Sequence, residues 1–341
     1  MPDHTDHTKN DAAHDETPYR ALITGGAGFI GSHLAEALLS RGHPVTIIDN
    51  LSTGRFENIA HLTAHPRFRF AIESITHEIV LDRLASECDV IFHLAAAVGV
   101  KLIVEHPVHT IETNVMGTEA VLKAALRYRA KVLLASTSEV YGKSDRIPFR
   151  EDDDVVLGPT CRSRWAYAAS KMVDEFLALA YHDQFGLPAI ICRFFNTVGV
   201  RQTGEYGMVV PRFVRKALRN QPIEIFGSGQ QSRCFCNVLD VVEALAKLID
   251  CPQAVGQVTN IGSTESITMD GLAEKIIAMT GSQSPTKRLT YEEAYGRPFD
   301  DMLVRVPDLT KIQRLIGYKA KYSLDDTLRQ VIDYERARLQ E

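Results

Sequence analysis

Tyr167 and Lys171 stand four residues apart, a spacing that puts both side chains on one face of a helix. A free tyrosine titrates near pH ~10. An ammonium beside it favours the phenolate and draws that value toward the working range. Tyr167 could then act as a general base toward a hydroxyl group. Tyr-x-x-x-Lys is also a common feature of ordinary helix faces, so its weight depends on its surroundings. Here it follows the segment Ser136-Thr137-Ser138-Glu139-Val140-Tyr141-Gly142.

A second cluster lies near the start of the chain. The run Thr24-Gly25-Gly26-Ala27-Gly28-Phe29-Ile30-Gly31 follows a short apolar strand and opens an amphipathic stretch. The Gly-x-x-Gly-x-x-Gly spacing permits a tight turn, a close backbone approach to a pyrophosphate, and close packing of helix on strand. The helix N-terminus, entered through Phe29 and Ile30, offers unpaired N–H groups to the phosphates. Asp49 and Asn50 end the next strand, where an acidic side chain can accept from the ribose hydroxyls of NAD and disfavour the extra phosphate of NADP. Arg55 lies close enough in sequence to bear on that choice. The expected cofactor is NAD.

Strands and helices must hold these groups. Apolar runs at 20–24, 44–48, 67–72, 89–94, 131–135 and 188–192 alternate with helical segments at 29–41, 107–128 and 166–185. Buried-type strands alternating with helices predict an α/β fold, a doubly wound parallel Rossmann sheet covered on both faces. After Asn196 the character changes to glycine, arginine and short strand-like pieces, with a helical pattern at 238–249 and a strand at 257–261. There is no internal repeat. The reading is a tail at 1–18, an NAD-binding unit at 19–195 with a return segment at 235–262, and a smaller C-terminal substrate-binding unit from 196–234 and 263–341.

Composition sets limits on partners. The 341 residues are 45% hydrophobic and 24% charged, with a net charge of −5, and carry no basic stripe of the kind that binds nucleic acid. No apolar run approaches the roughly 18 residues of a membrane span. The first 17 residues are polar, hold His4, His7 and His14, and read as a disordered tail without a signal peptide's apolar stretch. The six cysteines show no paired zinc-ligand spacing. They read as reduced thiols of a cytoplasmic protein, and no metal is expected.

Taken together, the glycine turn, His93-Leu94-Ala95-Ala96, Thr113-Asn114-Val115-Met116-Gly117-Thr118 and Tyr167-x-x-x-Lys171 resemble the extended short-chain dehydrogenase/reductase (NAD-dependent epimerase/dehydratase) family from about Ala21 to the C-terminus. The resemblance implies that Leu94, Ala95, Ala96 and Asn114 contact NAD, as do Tyr167 and Lys171. It implies that Thr137 hydrogen-bonds the oxygen being oxidised, and that Asn196, Arg233 and Arg305 hold the diphosphate and sugar of a nucleotide-sugar. Arginine suits that task because its rigid fork pairs two oxygens. A homodimer through the helices near 107–128 and 166–185 is implied as well. Two departures stand out. Glu73-Ser74 replaces the family's Gly-Asp after the third strand, and Gly199-Val200-Arg201 replaces Gly-Pro-Arg.

The family chemistry implied is oxidation at carbon 4 of a UDP-sugar, followed by re-reduction. Dehydratases carry Asp-Glu where this chain has Ser138-Glu139, which disfavours dehydration. Thr137-Ser138-Glu139-Val140-Tyr141-Gly142, Arg164-Trp165-Ala166-Tyr167 and Arg233-Cys234-Phe235 are similar to UDP-glucuronate decarboxylases. Oxidised at carbon 4, a uronate is a β-keto acid that can lose carbon dioxide if hydroxyls such as those of Thr137 and Tyr167 stabilise the enolate. Glu139 beside the substrate carboxylate is expected to have a raised pKa and so to deliver a proton. The catalytic set is Thr137, Ser138, Glu139, Tyr167 and Lys171. The alternatives are a UDP-sugar 4-epimerase and a non-catalytic NAD-binding protein of the same fold.

Overall fold

The computed structural model describes residues 17–340 except 205–206 and 297–299. The expected tail therefore lies almost wholly outside the described residues. The first half alternates β1 (Ala21–Thr24), α1 (Phe29–Ser40), β2 (Val45–Asp49), β3 (Phe68–Ile72), α2 (Glu78–Ala85), β4 (Val90–His93), α3 (Val100–Glu105), α4 (Pro107–Tyr128), β5 (Lys131–Thr137), α5 (Trp165–Phe185) and β6 (Ala189–Phe194). The second half continues with β7 (Thr197–Val198), α6 (Val209–Leu218), β8 (Ile223–Phe226), β9 (Ser232–Cys234), β10 (Cys236–Asn237), α7 (Val238–Ile249) and β11 (Val258–Ile261). It ends with β12 (Ser266–Thr268), α8 (Met269–Thr280), β13 (Thr286–Leu289), α9 (Tyr291–Tyr295), β14 (Val304–Arg305), α10 (Thr310–Ile316) and α11 (Leu324–Arg338).

The main sheet has seven strands in the order β11-β6-β5-β4-β1-β2-β3, all parallel. Strands buried on both faces carry continuous apolar side chains, and β1, β4 and most of β5 and β6 have that character. One face packs on α1 and α7 through Leu34, Leu38, Val241 and Leu245. The other packs on α4 and α5 through Val121, Leu122, Ala125 and Ala178. Strand order reverses between β1 and β4, the crevice where ligands bind in open α/β sheets. β11 comes from the second half of the chain and adds to the edge at β6.

A smaller core of α6, α8 and α11, built on Phe213, Leu272 and Leu328, lies apart from the sheet. Its short strands set β9 between β12 and β14, and in that register Arg305 is the direct neighbour of Arg233. Two sequence-distant arginines are thereby placed side by side over the carboxyl end of the main sheet. Among the described residues no helix is long and apolar enough to cross a membrane.

Candidate active site

The glycine turn is built as its spacing requires. Gly25 has φ +69°, a conformation only glycine adopts freely. A Cβ at Gly31 would lie 2.3 Å from the Gly25 carbonyl oxygen, so only hydrogen lets α1 close on β1. Gly28 caps α1 without a side-chain partner, leaving the first N–H groups of the helix facing a cleft of about 390 Å³. Gly25, Gly28, Phe29, Ile30, Asp49, Asn50, Leu94, Ala95 and Ala96 all line this cleft. Asp49 accepts from the N–H groups of Ala27 at 2.9 Å and Leu51 at 2.8 Å, so the acidic end of β2 also fixes the glycine turn. Burial pushes its carboxyl up, and those N–H groups oppose the shift. Arg55 reaches toward Thr203, and Glu73, at the family's Gly position, lines the cleft while Ser74, at its Asp position, does not. An open helix N-terminus, a turn without Cβ atoms and an acidic strand end suit a dinucleotide.

The strand end that carries Thr137 is braced from below. Ser136 and Arg193 both bind Glu175, with Arg193 at 2.7 Å. Tyr141 donates to Asn260 at 2.7 Å. Thr137 accepts from the Glu139 N–H at 3.2 Å and so caps the short turn Ser138–Tyr141. Thr137, Ser138, Glu139 and Tyr167 line the cofactor cleft, and the nearby Thr137 hydroxyl favours the Tyr167 phenolate.

Glu139 departs from expectation. It is clamped by two arginines, Arg164 Nη1 at 2.8 Å and Arg305 Nη1 at 3.2 Å. Burial alone would push the carboxyl up, but the two guanidinium groups outweigh it and hold it down at about 2. It is an ionised carboxylate that orients arginines, not the raised-pKa acid expected from sequence. The sequence argument counted one like charge and could not see two opposite ones.

Lys171 departs too. Its side chain is 2% exposed and its Nζ donates to Asp174 at 2.8 Å. It does not line the cofactor cleft. Tyr167 is pushed up from its ordinary value, by burial first and then by Glu139, rather than down. Asn114 is likewise placed behind the wall. Its amide oxygen accepts from the Ala97 N–H at 2.8 Å and its Nδ2 donates to Ser170 at 3.0 Å, so it joins the loop after β4 to α5.

A second cleft, about 210 Å³, adjoins the first and shares Glu139, Tyr167, Asn196 and Arg305 with it. Asn196 donates to the Cys234 carbonyl at 3.2 Å. Arg233 and Arg305 enter from their paired strands and Arg164 from the start of α5. Such close like charges repel, and Asp301 offsets this. It lies 2.9 Å from Arg233, 3.6 Å from Arg164 and 3.9 Å from Arg305, and accepts from Tyr291 at 2.7 Å. Even so, burial and the neighbouring arginines push Arg305 down to about 10. Sequence reasoning did not assign Arg164, Asp301 or Tyr291 to the site. Arg164 had a signal, since it precedes Tyr167 by three residues and so shares its helix face; Asp301 had none.

The model of the GDP-mannose 4,6-dehydratase family matches residues 22–331. The chain is 42% identical to UDP-N-acetyl-alpha-D-glucosaminuronate decarboxylase of Bacillus cytotoxicus over 318 residues, 93% of this chain and 98% of that one. It is 38% identical to UDP-glucuronic acid decarboxylase 1 of Arabidopsis thaliana, over 94% of this chain and 70% of that one. Among solved structures it resembles UDP-glucuronic acid 4-epimerase of Bacillus cereus, in complex with UDP-glucuronic acid and NAD, with a TM-score of 0.84 and 29% identity over 94% of this chain and 99% of that one. Extent of match, sheet order and glycine turn agree: the chain belongs to the GDP-mannose 4,6-dehydratase family, the NAD-dependent epimerases and dehydratases.

Proposed function

We propose that this protein is an NAD-dependent decarboxylase of a UDP-linked uronic acid. The observation that carries the reading is the Glu139 carboxylate held between Arg164 and Arg305, beside Tyr167 and Thr137, where the two clefts meet. The similarity to two decarboxylases of UDP-uronates supports it.

The glycine turn, the N-terminus of α1 and Asp49 would hold NAD in the first cleft, where it would supply a reversible hydride acceptor for carbon 4. Arg233, Arg305 and Asn196 hold the diphosphate and sugar in the second cleft. Tyr167 Oη, as phenolate, takes the proton of the 4-hydroxyl, and Thr137 Oγ1 donates to the same oxygen. In a 4-keto uronate the bond from carbon 5 to the carboxylate carbon breaks, and its electron pair moves onto the carbon-4 oxygen. The Tyr167 and Thr137 hydroxyls stabilise that oxygen as the charge develops. Arg305, pushed down to about 10 by burial and the neighbouring arginines, is the group assigned to protonate carbon 5, its proton then being replaced from solvent. Glu139 keeps Arg305 and Arg164 in place.

A 4-epimerase is the second reading, favoured by the likeness to the Bacillus cereus enzyme, because Tyr167 and Thr137 suffice for it. Incubation with UDP-glucuronate and UDP-N-acetylglucosaminuronate, followed by NMR and carbon dioxide measurement, separates the two. The expected products are carbon dioxide and a UDP-pentose or its 2-acetamido counterpart, with no net change in NAD. A sugar that keeps its carboxylate and differs only at carbon 4 would assign the epimerase.

We also propose a cytoplasmic homodimer through α4 and α5. Val108, Ile111 and Met116 on α4, and Val173 and Phe176 on α5, are exposed apolar side chains, Phe176 at 66%. Phe176→Glu is expected to shift the mass measured by light scattering from dimer to monomer. A monomeric wild type removes this part of the proposal.

A further inference from the structure

Lys171 is the charge that the phenolate of Tyr167 needs, yet in this fold its ammonium is directed at a second buried group. Asp174, one helical turn along α5, is 0% exposed on its side chain and accepts from Lys171 Nζ at 2.8 Å. Family resemblance assigned no role to this carboxylate.

A buried polar chain runs from the glycine turn toward Asp174. The Ala95 N–H donates to Thr24 Oγ1 at 3.2 Å. Thr24 Oγ1 lies 2.7 Å from His93 Nδ1, and His93 Nε2 lies 3.0 Å from Thr118 Oγ1. Burial pushes the Asp174 carboxyl up, and Lys171 first and then the nearby Thr118 hydroxyl oppose the shift, although Oδ1 closes no hydrogen bond. The direction of the chain follows from chemistry. A carboxylate only accepts, so Thr118 presents its hydroxyl proton toward Asp174 and takes the Nε2 proton of His93 as acceptor. His93 Nδ1 then accepts from Thr24. His93 is 1% exposed, and burial followed by the nearby Lys171 charge pushes it down to about 3, so the imidazole is neutral and contributes no charge. The chain stops at Thr118, beside Asp174, and Lys171 Nζ is the hydrogen-bond partner that Asp174 has among the described residues.

We propose that Asp174 is a positioning residue for catalysis: its ion pair holds Lys171 as an ammonium on the Tyr167 side of α5, where that charge favours the phenolate. Removing one partner of a buried pair leaves an uncompensated charge, and a buried amine sheds its proton under those conditions. With asparagine at 174, the Lys171 ammonium would lose the partner that holds it and Tyr167 the cation it needs.

The other charged groups around this pair are Glu139 and Arg305, which act on Tyr167 from the β5 and β14 sides, and Glu175, which acts on Asp174 from the next position of α5. From β4 and α4 come only the neutral His93 and Thr118. None of these changes in an Asp174 variant. The inference rests on Tyr167 as the proton acceptor but not on which product forms.

The test is the pH profile of kcat/KM for Asp174→Asn, with the nucleotide-sugar product identified at each pH. The acid limb reports ionisation of the base. It should move to higher pH by about one unit, with kcat at neutral pH down about tenfold. KM should change less than about twofold, since Asp174 touches neither cleft. The sign discriminates. Asp174 itself pushes Tyr167 up, so if Lys171 kept its charge without Asp174, loss of the carboxylate would move the limb to lower pH. A limb that moves down or stays in place overturns the proposal. Asp174→Glu, which keeps the charge, should restore most of the shift, and a failure to do so also overturns it. In a Lys171→Met background Asp174→Asn should no longer move the limb up; an equal upward shift there means Asp174 acts by another route. NAD binding and melting temperature establish that each variant is folded, and Asp174→Ser takes the place of Asp174→Asn if that variant is not. A product unlike that of the wild type would bear on the reaction assignment, not on Asp174.

Discussion

Tyr167→Phe is expected to lower turnover by about 10²–10⁴-fold, the usual cost of losing a positioned proton-transfer group, while NAD and UDP still bind. The ring is 7% exposed and phenylalanine fills the same space, so the loss is confined to Oη. Thr137 stays, still capping its own turn through the Glu139 N–H. The acid limb of the wild-type profile carries the complementary information. Burial and Glu139 raise the tyrosine above its ordinary value, while the Thr137 hydroxyl and Arg305 oppose them. A base works only when ionised, so activity should climb as pH rises through the Tyr167 titration. Single-turnover rates across pH, with calorimetric titrations of NAD and UDP into the same variant, check both parts. A Tyr167→Phe enzyme with wild-type turnover would remove Tyr167 from the mechanism.

Elements with regular periodicity were legible in the sequence. The helices at 107–128 and 238–249 have the expected limits, and the strands of the main sheet fall within a residue or two of their apolar runs. Both signals are local, since buried strands need continuous apolar residues and helices need a 3.6-residue repeat. The glycine turn was legible for a related reason: the constraint is backbone geometry, and few residues satisfy it.

The electrostatics of the site were not legible, because they depend on groups that meet only in the fold. Arg305 and Arg164 reach Glu139 across separations of 166 and 25 residues. Asp301 gathers three arginines from different elements. Lys171 was placed correctly on the Tyr167 face, yet its partner three residues on was not weighed, although an i, i+3 pair is within reach of a sequence argument. Asn114 shows the limit of transferring a role by position, since here its amide serves the Ala97 loop and Ser170.

Glu139→Gln brings these threads to one measurement. Glutamine keeps the shape and can still accept from one arginine, but it cannot neutralise two. Arg164 and Arg305 would then face each other and Arg233 with Asp301 as their remaining counter-charge. The arginine expected to protonate carbon 5 would lose its fixed position, so decarboxylation should fall by about 10²-fold. UDP affinity should change far less, because Arg233 keeps its own bond to Asp301 at 2.9 Å. The pH profile separates this from a role as proton carrier. Glu139 is held at about 2 and is fully ionised throughout the working range, so no limb of the wild-type profile belongs to it. Its negative charge does raise Tyr167, and the variant should therefore show the Tyr167 limb displaced to lower pH. If instead a wild-type limb disappears in Glu139→Gln, the carboxyl is titrating during turnover and the arginine clamp opens when substrate binds. If the variant turns over uronate at the wild-type rate, Glu139 positions nothing that the reaction needs, and the epimerase reading, in which only Thr137 and Tyr167 touch the reacting atoms, becomes the better account of this site.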